Sequence, residues 1–138
     1  MNIAIFGNGK MGKLISKLAM DKGHSILITT NSKQPAKDCD LSSIDVAIDF
    51  SLPDVAFDNI SYAIENNTPI ISGTTDWLER LEEAKEICLT KNGAFLYSSN
   101  FSLGMNIFFE LNRTLAKLIK GKNYTATIEE THHLNKLD

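Results

Sequence analysis

The sequence predicts an α/β protein, built as a doubly wound parallel sheet with one further helix and strand after it. Three observations lead there. Short apolar and β-branched runs alternate with stretches of helical period across residues 1–101. Those runs are apolar at successive positions, as strands covered on both faces must be. A glycine-rich turn joins the first run to the first helix.

Taken in order, "NIAIF" is a strand ending at Gly7. "KMGKLISKLAMDKGH" follows as a helix, with Met11, Leu14, Ile15, Leu18 and Ala19 at helical spacing and Gly23 as its stop. "SILITT" reads as a second buried strand and "DVAIDFS" (Asp45 to Ser51) as a third. Pro53 opens the helix "PDVAFDNISYAIENN", which places Val55, Ile60 and Ile64 on one side and stops at Asn66 and Asn67. "TPIISG" is a fourth strand, "DWLERLEEAKEICLTKNG" a helix capped by Gly93, and "AFLYSS" a fifth strand. Ser102 to Gly121 forms a long amphipathic helix whose stripe of Met105, Phe108, Phe109, Leu111, Leu115 and Leu118 packs a core or a subunit contact. In "YTATIEETHH", Tyr124, Ala126, Ile128 and Glu130 alternate with Thr125, Thr127 and Glu129, the period of a strand. Asn31 to Ser43 is polar and irregular, and is the one long connector. Trp77 is expected to cap the sheet core, and "ERLEEAKE" to be a solvated face laced with i,i+4 pairs.

At 138 residues the chain accommodates one domain of the usual size, about 100–200 residues, and part of another. Hydrophobic residues at 43% and charged residues at 22% favour a folded chain over a disordered one. A net charge of −3 provides no basic field, which argues against binding nucleic acid or an anionic membrane. The N-terminus lacks a basic leader, and no apolar run approaches the roughly 20 residues of a membrane helix. Cys39 and Cys88 stand alone, as packing residues with reduced thiols, and a cytoplasmic location is expected.

"GNGKMG" places Gly7, Gly9 and Gly12 in the G-x-G-x-x-G pattern, directly after a strand and opening a helix. Such a turn lets backbone N–H groups approach a pyrophosphate, with the positive end of the helix dipole facing it. The alternative is a glycine-lined turn without a ligand. With Asn8, Lys10 and Met11 inside it, the turn marks a Rossmann-type sheet that binds NADPH or NADH. An NAD site commonly has an acidic residue about 20 positions on. Here stand Thr29, Thr30, Asn31, Ser32 and Lys33, and with Lys10 they favour the 2′-phosphate of NADPH.

Three further motifs sit at the carboxyl ends of predicted strands, where ligands of doubly wound sheets bind: "DFS" (49–51), "GTTDW" (73–77) and "SSNFSLGMN" (98–106). Each has a plain structural alternative, Asp76 as the cap of the next helix for one and "NFS" as a cap for another. The segment "EETHHLNKLD" gathers carboxylates, His132, His133 and Lys136. Histidine supplies a proton donor near neutral pH, and lysine an anchor for a carboxylate. The alternatives are a charge-neutralised surface pair, or a metal site using Glu130 or Asp138, which lacks the H-E-x-x-H spacing.

Together, "GNGKMG", "DFS", "GTT", "SNFSLGMN" and "EETHHLNKLD" resemble, in that order, the 4-hydroxy-tetrahydrodipicolinate reductase (dihydrodipicolinate reductase) family of the diaminopimelate route to lysine. The glycine turn is one residue shorter than in many members, and the connector after the second strand is abbreviated. The resemblance implies a Rossmann-type domain over 1–101 and, over 102–138, the N-terminal part of the substrate-binding domain, namely the first helix and strand of a second, α+β domain. The family's signature continues with Pro-Ser-Gly-Thr, so a truncated chain is expected. The implied reaction is reduction of a cyclic dicarboxylate imine to tetrahydrodipicolinate with NADPH or NADH, in a homotetramer when intact.

Carried over, Gly7, Asn8, Gly9, Lys10, Met11 and Gly12 bind the pyrophosphate. Thr30 and Asn31 lie near the adenosine ribose; Gly73, Thr74 and Thr75 lie near the nicotinamide; and Ser98, Ser99, Asn100 and Phe101 form a hinge beside it. His132 acts as acid/base, Lys136 as proton donor or carboxylate anchor, and His133 contacts substrate, with no metal. Two alternatives stay open: a non-catalytic NAD(P)-binding module, and another Rossmann reductase of amino-acid-derived imines.

Overall fold

Ile3 and Ile5 point to one side of the first strand and Ala4 and Phe6 to the other, and all four are buried. A strand apolar on both sides must lie inside a covered sheet. The computed structural model describes residues 1–131 and places β1 (Asn2–Phe6) as an interior strand of a five-stranded parallel sheet. With β2 (Ser25–Thr29), β3 (Val46–Asp49), β4 (Ile70–Ser72) and β5 (Phe95–Tyr97), the order is β2-β1-β3-β4-β5, so β3 is central. Ala4 pairs with Ala47 and Ala47 with Ile70, which fixes one face; Ile5, Ile48, Ile71 and Leu96 form a row on the other.

The first face carries the larger core, in which Ala4, Phe6, Ala47 and Ile70 meet α2 (Pro53–Glu65) and α3 (Leu81–Thr90). Ala56, Phe57, Ile60, Ala63 and Ile64 line the inner side of α2. Val55, expected on that side, is 43% exposed, because it lies well over 100° round the helix from Ile60. The segment after β2 is a packed strap rather than a polar connector. Ala36, Cys39, Leu41 and Ile44 are buried in the same core, and the Tyr62 hydroxyl donates to the Cys39 carbonyl at 2.8 Å. Burial pushes the Cys39 thiol pKa up.

The second face is covered by α1 (Lys10–Asp21) against β1 and β2, with Ala19 and Ile15 on Ile3 and Ile5. Met11, Leu14 and Leu18 face outward, about half exposed. The helix is rolled so that Gly12 meets the sheet, since a Cβ there would stand 1.9 Å from the Gly7 carbonyl oxygen and 3.2 Å from Ile5 Cγ2. β2 is an edge strand, and Leu27 is exposed instead of buried. α3 begins later than its sequence suggests, after a short 3-10 turn at Leu78–Arg80, and Asn92 rather than Gly93 takes the left-handed conformation at its end. Its surface pairs are spaced i,i+3, Arg80 with Glu83 and Lys85 with Glu82. Trp77 is buried against Phe95 and edge-on to Tyr97.

The chain divides into two units, the second beginning at Ser102. Within it, α4 (Leu103–Ile119) is capped by Ser102, whose Oγ accepts the Met105 N–H at 3.4 Å. Phe108, Leu111, Leu115 and Leu118 are each more than half exposed. The strand expected over 124–130 does not form: these residues take no regular secondary structure, and Ile128 is 89% exposed. A strand's N–H and C=O groups need a neighbouring strand, and none flanks this segment among the described residues.

Ile60→Ala should lower unfolding free energy by about 2–5 kcal/mol in chemical denaturation. Val55→Ala, on the outward side of the same helix, should change it by no more than about 0.5 kcal/mol.

Candidate functional site at the carboxyl edge of the sheet

Parallel strands bring all their carboxyl ends to one edge, so the loops after β1, β3 and β4 meet there. Asp49, the last residue of β3, is fully buried. Its Oδ1 accepts from the Ser51 hydroxyl at 2.6 Å and the Asn59 amide at 3.1 Å, and its Oδ2 from the Ser72 hydroxyl at 2.9 Å and the Thr74 hydroxyl at 2.7 Å. Two donors on each oxygen fill the acceptor directions of a carboxylate. Thr74 Oγ1 also accepts the Ser51 N–H at 2.9 Å, and the Gly73 N–H reaches the Asp49 carbonyl at 2.9 Å. One side chain thus ties the loop after β3 to the loop after β4.

Phe50 joins both to the glycine turn. Gly7 has φ +105°, and a Cβ on it would lie 2.3 Å from the Phe50 carbonyl oxygen; a Cβ on Gly73 would lie 2.3 Å from the Phe50 ring. Both glycines are therefore required by packing. Gly9 differs: a Cβ there meets nothing within 4 Å, so no protein atom explains the glycine. The space beside it belongs to a cavity of about 290 Å³ lined by Gly9, Lys10, Met11, Phe50, Ser51, Pro53, Gly73, Thr74 and Thr75. The first N–H groups of α1 lack intrahelical partners, and its first turn holds no acidic residue. An open glycine, unpaired amides, a helix dipole and Lys10 fit a pyrophosphate.

A larger hollow of about 590 Å³, between Pro53, Asp54, Phe57 and the segment 76–80, fits a phosphate less well. Asp54, Asp76 and Glu79 line it. Its one guanidinium, Arg80, is bidentate to Glu83 and lies 3.3 Å over the Phe57 ring. The hydrogen bond to Glu83 raises the Arg80 pKa, and the same bond lowers that of Glu83.

Of the residues singled out by sequence, Gly9, Lys10, Met11, Gly73, Thr74 and Thr75 line the smaller cavity together. Gly7 and Gly12 shape the turn behind it, and Asn8 is exposed on it. Thr30 is buried with its hydroxyl accepting the Gly7 N–H at 3.1 Å, and Asn31 Oδ1 accepts the N–H groups of Lys33 and Gln34. Their side chains therefore brace the turn and its neighbouring loop. Ser98 Oγ donates to the Asn100 carbonyl at 2.8 Å, Ser99 is exposed, and the Phe101 ring lies 6.3 Å from Phe50; none of the four lines this cavity. Asp76 caps no helix and instead has φ +60°. His132, His133 and Lys136 lie outside the described residues.

Sequence reasoning placed Phe50 and Ser51 at the ligand edge through "DFS" without giving them a role, and missed Pro53 as a lining residue and Asn59 as the fourth donor to Asp49. "DFS" at a strand end was the available signal; nothing marked Asn59, since only the pitch of α2 brings it back to the strand.

A family model described as "Dihydrodipicolinate reductase, N-terminus" matches residues 1–101. The chain belongs to the dihydrodipicolinate reductase family. Among relatives named 4-hydroxy-tetrahydrodipicolinate reductase, that of Christiangramia forsetii is 46% identical over 139 residues, and that of Rickettsia rickettsii 34% over 146. Both alignments take in 100% of this chain and 58% of the relative, so the chain spans little more than half the length of these curated relatives. The crystal structure of a Gfo/Idh/MocA family oxidoreductase from Vibrio cholerae aligns with TM-score 0.52 at 12% identity, over 71% of this chain and 38% of that one. That likeness establishes the fold, a Rossmann-like α/β sheet. Among the described residues of this dihydrodipicolinate reductase family chain, no helix is long and apolar enough to cross a membrane.

Gly7→Ala should destabilise the fold by at least about 2 kcal/mol through strain and the clash with Phe50. Gly9→Ala should leave thermal unfolding within about 0.5 kcal/mol of the parent.

Proposed function

We propose that this chain is the dinucleotide-binding part of a reductase that converts 4-hydroxy-tetrahydrodipicolinate to tetrahydrodipicolinate, using NADPH in preference to NADH. The observation that carries the reading is the open space at Gly9, bordered by Lys10 and by Gly73, Thr74 and Thr75 at the carboxyl edge. The backbone of Gly7 to Gly12 and the start of α1 hold the pyrophosphate. Thr74 and Thr75 flank the nicotinamide, and Phe50 forms an apolar wall that excludes water from one side. When bound, the dinucleotide would supply hydride to the ring carbon that loses its hydroxyl as water, with a proton taken up and the imine retained in the product.

No acidic residue occupies positions 30–37, directly after β2, where the ribose hydroxyls of NAD are commonly held. Lys33 and Lys10 instead favour a 2′-phosphate. Residues 102–138 contribute to the substrate side: His132 delivers the proton, Lys136 holds a substrate carboxylate and His133 contacts the ring. An imidazole suits that proton because it titrates near neutral pH. The whole protein assembles as a homotetramer acting on a small dicarboxylate.

Fluorescence titration of the 138-residue chain tests the cofactor reading. NADPH should bind roughly fivefold tighter than NADH, the scale of one exposed charge pair with a phosphate, and Lys10→Met with Lys33→Met should erase the difference. Gly9→Val should weaken both at least about tenfold by filling the cradle, with stability retained. Absence of uptake of either nucleotide by folded protein would overturn the reading. In a chain as long as its relatives, His132→Gln should cut turnover about a hundredfold while leaving dinucleotide affinity within about twofold. Parallel loss of affinity would refute the assignment of His132.

A further inference from the structure

Asp49 is more than a brace, because its charge is not cancelled. All four groups bonded to its carboxylate are neutral, and among the described residues no cation pairs with it. A fully buried anion with only neutral partners is costly, and the packing alone would be met by a neutral side chain of the same shape. Its field falls on the cavity. Ser51 and Thr74 are bonded to the carboxylate and also line the cavity, so a single hydrogen-bonded layer separates them. Thr74 turns its proton toward Asp49. Because Asp49 is fully buried and one side chain away, its effect reaches the cavity more strongly than a surface carboxylate would.

We infer that Asp49 is a positioning residue and buried counter-charge that biases this cavity toward the oxidised form of the nicotinamide. The inference rests on the reading that the cavity holds the nicotinamide end of a dinucleotide. The oxidised ring carries one more positive charge than the reduced ring, and the two have nearly the same shape. A negative charge behind the wall therefore distinguishes them, whereas a purely steric wall does not. In a reductase such a charge favours the form that has given up its hydride, which assists transfer.

The test is equilibrium titration of the parent chain, Asp49→Asn and Asp49→Glu with NADPH and with NADP⁺. In Asp49→Asn, affinity for NADP⁺ should fall at least about tenfold more than affinity for NADPH, the scale of one charge roughly 10 Å away at an effective dielectric of about 20. Asp49→Glu, which keeps the charge, should hold the parental ratio. A fall by the same factor for both forms, or no change in the ratio, overturns the inference while the cofactor reading stands. If the parent chain binds neither form, the cofactor reading itself has failed and this inference with it. Should Asp49→Asn not fold, Asp49→Ser removes the charge, leaves room for a water among the same donors and reads the same ratio.

Discussion

A carboxylate with no access to water stands at the end of the central strand, and the ligand-facing edge of this domain is arranged around it. Asp49 can remain in the interior only while Ser51, Asn59, Ser72 and Thr74 all donate to it. Those donors come from the loop after β3, the second turn of α2, the end of β4 and the loop after it. Meeting the needs of one buried group therefore sets the relative position of four pieces of chain. Losing any donor leaves part of a charge unsatisfied in a low-dielectric setting, so the arrangement is held by a steep penalty on departure from it.

Contact at Phe50 adds a second constraint. Its carbonyl abuts Gly7 and its ring abuts Gly73, so the glycine turn and the loop after β4 each approach to a distance that no Cβ permits. Thr30 closes the set by accepting the Gly7 N–H from the end of β2. The turn, "DFS" and "GTT" thus move as one wall. Gly9 is the exception, facing space rather than protein. The sheet is shared with the Gfo/Idh/MocA family oxidoreductase at 12% identity, and a shared fold does not by itself specify a site.

Much of the fold was legible in the sequence because strand and helix signals are local. Five apolar runs, Pro53 at a helix start and Gly23 at a helix end each report on their own neighbourhood, and each was read correctly. Direction was not legible. The apolar residues of α1 point two ways, and the helix turns Gly12 inward at the expense of Met11, Leu14 and Leu18 because close approach to the turn matters more than burying three side chains. The polar stretch after β2 hid a packed strap, since Ala36, Cys39, Leu41 and Ile44 are too widely spaced to show a period. Tyr124 to Glu130 has a strand's alternation without a strand's partner, and alternation alone satisfies no backbone group.

The sequence by itself determined the class of fold, the glycine turn with Lys10, and the recurring motifs at the strand ends, because these depend on residue type over short spans. Only the tertiary structure decided what each motif touches. The Thr30 hydroxyl accepts the Gly7 N–H of the glycine turn, and Asn31 Oδ1 accepts from Lys33 and Gln34 in its own loop. Asp49, unremarkable within "DFS", became the buried centre of the edge, joined by an Asn59 that no motif announced. Hydrogen-bond partners 10 to 25 residues apart are chosen by strand order and helix pitch, and those exist only once the sheet has assembled.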